Sequence, residues 1–253
     1  MPNIVFNAVH KNYKAGLFKK NVKALNGLSF TVPSDSVFGL VGPNGAGKST
    51  CIRLLLNLSK PSSGWIHVGD ESVSNPGFLR HVGYLPENPY LYDHLTLVEL
   101  LRFAGTANDL SVERIAERIE HLSRQTGIDH ALKRPLRTFS KGMRQRAGLC
   151  FALLHDPSLV VLDEPMSGLD PLGRKMVCDL ILDLKKHGKT VFFCSHILSD
   201  VERLCDTLAI LDRGRLVRTF SESEMAAFRQ GETDIEEAFA AAVSVQVEQG
   251  GAA

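Results

Sequence analysis

The stretch Val37-Phe38-Gly39-Leu40-Val41-Gly42-Pro43-Asn44-Gly45-Ala46-Gly47-Lys48-Ser49-Thr50 decides how the rest of the chain reads. Its first five residues make a short, unbroken apolar run, the pattern of a strand covered on both faces, and Gly42 ends it. After Lys48 the period turns helical, with Ile52, Leu55 and Leu56 along one face until Lys60-Pro61-Ser62-Ser63-Gly64 breaks it. Between strand and helix, Gly42 to Ser49 matches the pattern G-x-x-x-x-G-K-[ST] in full. The glycines let the backbone curl so that several N–H groups converge on one phosphate, Lys48 supplies a cation to phosphate oxygens, and Ser49 offers a hydroxyl to Mg²⁺. The helix that follows aims its positive end at the same anion.

Working outward, Ile4 to Phe6 and Leu28 to Val32 read as strands ahead of this unit. Residues from about 93 to 138 read as wholly helical. Thr96 and Glu99 form a capping box ahead of Leu97, Leu100, Leu101 and Ala104, and Ser111 opens a second helix with Val112, Ile115, Ile119 and Leu122 inward. Gly127 suits that helix's C-cap, and the block reads as an inserted helical subdomain. Leu159 to Leu162 and Thr190 to Cys194 flank a helix around Arg174 to Lys186, the βαβ rhythm of a parallel sheet. Leu208 to Leu211 and Arg215 to Val217, split by Asp212-Arg213-Gly214, read as a closing hairpin. Residues 1–243 therefore make one domain, and 244–253, without a core pattern, read as a frayed tail.

The 253 residues are 44% apolar and 23% charged, an ordinary globular composition. Twenty-nine basic against 28 acidic residues leave a net charge of +1, which argues against a strongly basic nucleic-acid binder. The five cysteines, Cys51, Cys150, Cys178, Cys194 and Cys205, are odd in number and never paired as Cys-x-x-Cys, so the pattern supports neither a disulfide framework nor a zinc knuckle and fits a reducing cytosol. The longest apolar runs fall far short of the roughly 18 residues that cross a bilayer. The start, Met1-Pro2-Asn3-Ile4, lacks the pattern of a secretory signal.

Downstream, Leu159-Val160-Val161-Leu162-Asp163-Glu164 is an apolar strand ending in two carboxylates. Asp163 is placed to hold Mg²⁺ through water, and Glu164, facing differently, to polarise an attacking water. Between this motif and the phosphate loop stands Phe139-Ser140-Lys141-Gly142-Met143-Arg144-Gln145-Arg146. It resembles the signature motif of ATP-binding cassette (ABC) transporter ATPases. Ser167-Gly168-Leu169-Asp170 is similar to that family's D-loop, Ser195-His196 to its switch histidine, and Tyr84-Leu85-Pro86-Glu87 stands where it has its Q-loop. Tyr13 stands where an aromatic stacks on adenine. The resemblance covers residues 4 to 218.

The resemblance implies a RecA-like P-loop core of α/β class with an antiparallel β-subdomain and the inserted helical subdomain. It implies binding of ATP and Mg²⁺ and hydrolysis of the nucleotide. Nucleotide contacts fall to Tyr13 and to Gly42, Pro43, Asn44, Gly45, Ala46, Gly47, Lys48, Ser49 and Thr50, and metal contacts to Ser49, Asp163 and Glu87. Lys48, Glu164 and His196 carry the catalytic roles. Ser140, Lys141, Gly142, Met143 and Asp170 act on the nucleotide of a second copy in a head-to-tail homodimer, or in a heterodimer with a similar ATPase. The partner is an integral membrane permease made as a separate polypeptide, which places the chain on the cytoplasmic face of a membrane. Two departures matter: most of the family has Gly-Gly-Gln where this chain has Lys141-Gly142-Met143, and Gln where it has Glu87. Both variants resemble a branch that serves small export permeases. An insert from Lys14 to Lys23, with Lys19 and Lys20, reads as a solvated hairpin.

Overall fold

The computed structural model describes residues 3–13 and 22–250, with side chains through Ser244. In chain order the elements are β1 (Ile4–Tyr13), β2 (Val22–Val32), β3 (Val37–Val41), α1 (Lys48–Leu55), β4 (Ser63–Val68), β5 (Glu71–Ser72), β6 (Val82–Leu85), α2 (Leu97–Ala107), α3 (Val112–Gln125), α4 (Lys141–Leu153), β7 (Leu159–Asp163), α5 (Pro171–Lys186), β8 (Thr190–Ser195), α6 (Leu198–Leu204), β9 (Thr207–Asp212), β10 (Arg215–Phe220), α7 (Glu222–Arg229) and α8 (Ile235–Gly250). They fall into two compact units: residues up to Leu79 with those from Phe192 on, and Arg80–Val191.

In the first unit, β1, β2, β4 and β5 form an antiparallel sheet in the order β2-β1-β4-β5, and a second sheet runs β10-β9-β3-β8. β3 is buried at every residue, as an unbroken apolar run requires. It pairs parallel with β9, and the entry is pinned twice: the Asp206 carboxylate accepts from Val37 N at 2.9 Å, and Asp206 N donates to Val37 O at 2.8 Å. A ladder of rings joins the sheets, Phe6 on Phe30 at 4.4 Å, Phe30 on Phe38 at 5.3 Å and Phe38 on Phe192 at 5.6 Å between centroids. Stacked aromatics bury large areas on both sides, so this ladder is the core that fixes β3 and the loop after it.

The second unit holds the parallel pair β6–β7 with α2, α3, α4 and α5. The Thr96–Glu99 capping box forms, Ser111 caps α3 by accepting from Arg114 N, and Gly127 takes φ 67° just past the end of α3. The expected helical block is interrupted: residues 93–95 make a turn and a bend, Thr96 forms an isolated antiparallel bridge with Pro135, and 3₁₀ turns at Asp129–Ala131 and Leu136–Thr138 follow α3. Gly127, at φ 67°, ends α3, and Pro135 lacks the N–H that a helix continued through this stretch would need.

Residues 244–253 read from sequence as a frayed tail. α8 carries helix from Ile235 to Gly250, through most of that segment; residues 251–253 lie outside the described ones. Buried Ile235 and half-buried Ala238, Phe239, Ala242 and Val243 recur at helical spacing along one face, the helix packs against β9, β10 and α6, and the Asp234 carboxylate caps its start by accepting from Glu236 N at 2.7 Å. The Lys14–Lys23 insert lies outside the described residues except for its last two, which begin β2.

Candidate functional site

In the first unit the turn after β3 places Lys48 at the first position of α1. Gly47, its N-cap, has φ 113° and gives no side-chain cap, and the first turn of α1 holds no acid. A Cβ on Gly47 would stand 2.8 Å from Leu25 Cδ2 and 2.9 Å from Ala24 O, so both conformation and space require glycine. The helix thus offers its first N–H groups and its positive end without a competing internal acceptor from a side chain. The Lys48 ammonium, 8% exposed, turns back over the loop and donates to Gly42 O at 2.5 Å and Pro43 O at 3.3 Å. A cation held by carbonyl dipoles inside a ring of backbone donors is the arrangement that accepts a polyphosphate.

The loop is braced from behind by residues that local sequence reading missed. Gly214 N, in the turn between β9 and β10, donates to Ala46 O at 2.8 Å, and Asn26 N donates to Gly214 O at 2.8 Å. With its amide turned to suit, Asn26 accepts from Arg215 Nη2 at 2.8 Å and Nε at 3.0 Å. Asp212-Arg213-Gly214 was visible as a hairpin turn; its grip on a loop about 168 residues earlier was not. The other expected nucleotide residues of this unit lie apart in kind. Tyr13 is half-buried, its hydroxyl is buried without a hydrogen-bond partner among the described residues, and the Lys11 ammonium sits 5.0 Å from the ring centroid. His196 is exposed just after β8, in a turn held by Ser195 Oγ, which accepts from Ile197 N at 3.0 Å.

In the second unit β7 delivers Asp163, 8% exposed, and then Glu164. Glu164 takes φ 50°, a left-handed conformation uncommon for a residue with a long side chain, and its carbonyl accepts from Ser167 N at 3.0 Å. Such a conformation costs of order 1 kcal/mol and persists where the surroundings over-determine it, which marks functional turns. Composition gave no hint of it. Ser49 and Asp163 present hydroxyl and carboxylate oxygens, the hard donors that Mg²⁺ takes. Each of the two, Ser49 in the first unit and Asp163 in the second, is by its chemistry a donor that Mg²⁺ accepts, an ion that otherwise completes its octahedron with water and phosphate oxygens. Among the described residues no three or more His, Cys, Asp or Glu are gathered as a metal cage. Glu87 is exposed beyond β6.

The same unit builds the signature segment. Ser140 caps α4 by accepting from Met143 N at 3.3 Å, as its residue type predicts. Asp170 caps α5, its carboxylate accepting from Gly173 N at 2.7 Å. The loop after Glu87 ends in a firm base: the Asp93 carboxylate pairs with Arg144 at 2.7 Å, and Asp93 O and Leu95 O accept from Arg137 N and Leu136 N. Above that base Tyr90 is 98% and Tyr92 58% exposed. All five cysteines are buried thiols, and no helix among the described residues is long and apolar enough to cross a membrane.

A family model described as ABC transporter matches residues 25–167. An uncharacterized ABC transporter ATP-binding protein of Nostoc sp. (strain PCC 7120) is 44% identical over 228 residues, 88% of this chain and 68% of that protein. Another, of Synechocystis sp. (strain PCC 6803), is 43% identical over 226 residues, 88% of this chain and 64% of its own length. The chain thus spans about two thirds of the length of these curated relatives. Among solved structures, an ATP-binding subunit of an ABC transporter superposes with a TM-score of 0.82 at 30% identity, covering 95% of this chain and 99% of that one. The α/β fold with its antiparallel sheet and helical segment is therefore that of an ABC ATPase domain.

Proposed function

We propose a specific task for this chain, which belongs to the ABC transporter family as an ATP-binding subunit: it hydrolyses MgATP in a two-copy assembly and powers a separately encoded membrane permease, in the direction of export. The observation that carries nucleotide binding is the phosphate loop, with Lys48 held over its carbonyls at an α1 start free of acid and of side-chain caps. Gly42 to Thr50 take the phosphates, and Tyr13 takes the adenine on its ring. Ser49 and Asp163 hold Mg²⁺, with Glu87 as a further oxygen donor, and the ion neutralises charge on the phosphate oxygens. Glu164 orients the attacking water and accepts its proton, Lys48 stabilises charge on the transferred phosphoryl, and His196 contacts the γ-phosphate.

Ser140, Gly142, Met143 and Asp170 serve the nucleotide of the second copy, and Lys141 lies in the same segment. A helix start such as that of α4 is suited to an anion presented from outside. The exposed aromatic loop Asn88–Tyr92 on its fixed base is the contact for the permease, and that contact keeps the chain at the cytoplasmic face of a membrane. Export is supported by the branch resemblance in Lys141-Gly142-Met143 and Glu87.

Glu164→Gln tests the reading, because it keeps shape and hydrogen bonding but removes the base. ATP affinity is expected to hold, turnover to fall at least about 10²-fold, and an ATP-dependent two-chain species to appear on gel filtration. A hydrolysis rate within about threefold of the parent refutes the assignment.

A further inference from the structure

Lys141 occupies a poor place for a cation. It is the first residue of α4, where the helix dipole is positive, and the first turn contains no acid to offset it. Its side chain does not stay in that field. It runs across Gly168, where an added Cβ would lie 2.7 Å from Lys141 Cδ, 2.8 Å from Cε and 3.1 Å from Nζ, and where φ is 73°. The ammonium ends on Ser167 and donates to its Oγ at 3.4 Å. Ser167 in turn donates its N–H to Glu164 O at 3.0 Å, which ties it to the residue that carries the left-handed φ.

Two further contacts hold the same segment from the same helix. Buried Gln145 donates through Nε2 to Pro165 O at 3.2 Å. Arg146 Nη2 stands 3.8 Å from the Asp170 carboxylate that caps α5. Residues 165–170 are therefore clasped along their length by one face of α4, with Lys141 at the exposed end of the clasp.

We infer that Lys141 is a positioning residue: acting through Ser167 and Gly168 of its own chain, it holds the Glu164–Asp170 turn in register with the Ser140 helix start. The base and the elements offered to a second copy's nucleotide then move as one piece. The electrostatic cost of a lysine at this helix start is the reason to expect such a function, since a neutral residue there would favour the helix more. The inference rests on the proposed function, because it presumes that Glu164, Ser140 and Asp170 take part in hydrolysis.

The test is a double-mutant cycle on the full chain with Lys141→Gln, Ser167→Ala and the pair, read by kcat, by affinity for a non-hydrolysable ATP analogue, and by thermal melting. Expected are a fall in kcat of about tenfold in each single variant, analogue affinity within about twofold of the parent, and a double variant no worse than the poorer single. The melting temperature of Lys141→Gln is expected to hold or rise, because a cation leaves the positive end of α4. An unchanged kcat in Lys141→Gln overturns the inference. Multiplying losses in the pair overturn it too, since Lys141 would then act independently of Ser167, and so does a drop in melting temperature that accompanies the loss. Glu164→Gln and Ser140→Arg, assayed alongside, separate the two readings. If they keep full turnover, the proposed function fails; if they lose it while Lys141→Gln keeps it, this inference alone fails.

Discussion

Two helices of this chain begin on a lysine, and they use it in opposite ways. At α1 the cap is Gly47, the N–H groups have no side-chain acceptor, and Lys48 is buried against loop carbonyls. At α4 the cap is Ser140, its hydroxyl already takes the Met143 N–H, and Lys141 is exposed and drawn sideways onto Ser167. The first is an anion site built into one chain, complete in its donors and its cation. The second has its cation turned aside and part of its donor set satisfied, as suits a surface that meets an anion already held elsewhere. On the proposed function, a glycine cap and a serine cap thus separate a primary site from a completing one.

The largest effects should come from breaking each start in turn. Lys48→Ala is expected to lower ATP affinity by about 10²-fold or more without unfolding, because its side chain addresses phosphate rather than core. Ser140→Arg places a bulky cation at the α4 start, where it opposes the dipole and blocks close approach. ATP binding to the single chain should remain near normal, while the ATP-driven two-chain species and hydrolysis are lost. Mixing the two inactive variants sharpens the contrast, since one site of the mixed pair carries both defects and the other carries neither. Recovered ATPase activity is the expected result, and a Ser140→Arg protein that turns over alone at the parent rate erases the distinction between the two helix starts.

The contrast also explains what could be read from sequence. The α1 site was legible because its chemistry is contiguous: strand, glycines, lysine and serine lie within fourteen residues. Helix starts at Thr96, Ser111 and Ser140 were legible for the same reason, each being a local bond from a side chain to a nearby N–H. What escaped is non-local or conformational. The brace from Gly214 to Ala46 joins residues far apart in sequence, and the left-handed Glu164 reflects constraints from its surroundings rather than its type.

A middle-sized effect is expected at the loop proposed as the permease contact. Alanine substitutions confined to Asn88–Tyr92 remove the exposed Tyr90 and Tyr92 rings but leave the Asp93–Arg144 pair in place. Transport measured in cells should fall several-fold while the basal ATPase of the purified chain stays within about twofold, because interface aromatics carry binding energy without touching the reacting atoms. Equal loss of both would make the loop a packing element and would tie it to the hydrolytic site.

The smallest effect comes from a third helix start, that of α2, which serves as the control for the other two. Here the N–H groups are saturated from both sides: Glu99 N donates to Thr96 Oγ1 at 3.3 Å, and Thr96 N and Oγ1 donate to the Glu99 carboxylate at 2.8 and 2.7 Å. With the N–H groups of Thr96 and Glu99 taken by the box and that of Val98 by Leu132 O at 3.0 Å, this start is occupied from within, so its loss should be felt in stability alone. Thr96→Ala is expected to cost about 1 kcal/mol, which lowers the melting temperature by roughly 2–4 °C in a chain of this size, and to leave kcat and ATP affinity unchanged. The pH dependence has a definite sign. The backbone N–H and then the hydroxyl of Thr96 hold the Glu99 carboxyl below its usual range. A carboxyl depressed in the folded state stabilises above its unfolded pKa, and that contribution fades as pH falls through the lower folded value. Thr96→Ala keeps the backbone N–H and loses only the hydroxyl, so the melting temperatures of the parent and the variant should differ most at neutral pH, and the gap should narrow without closing as the carboxyl takes up its proton. A difference independent of pH would assign the cap to the hydroxyl alone, and a loss of ATPase activity at neutral pH would show that even a saturated helix start in this unit feeds the catalytic one.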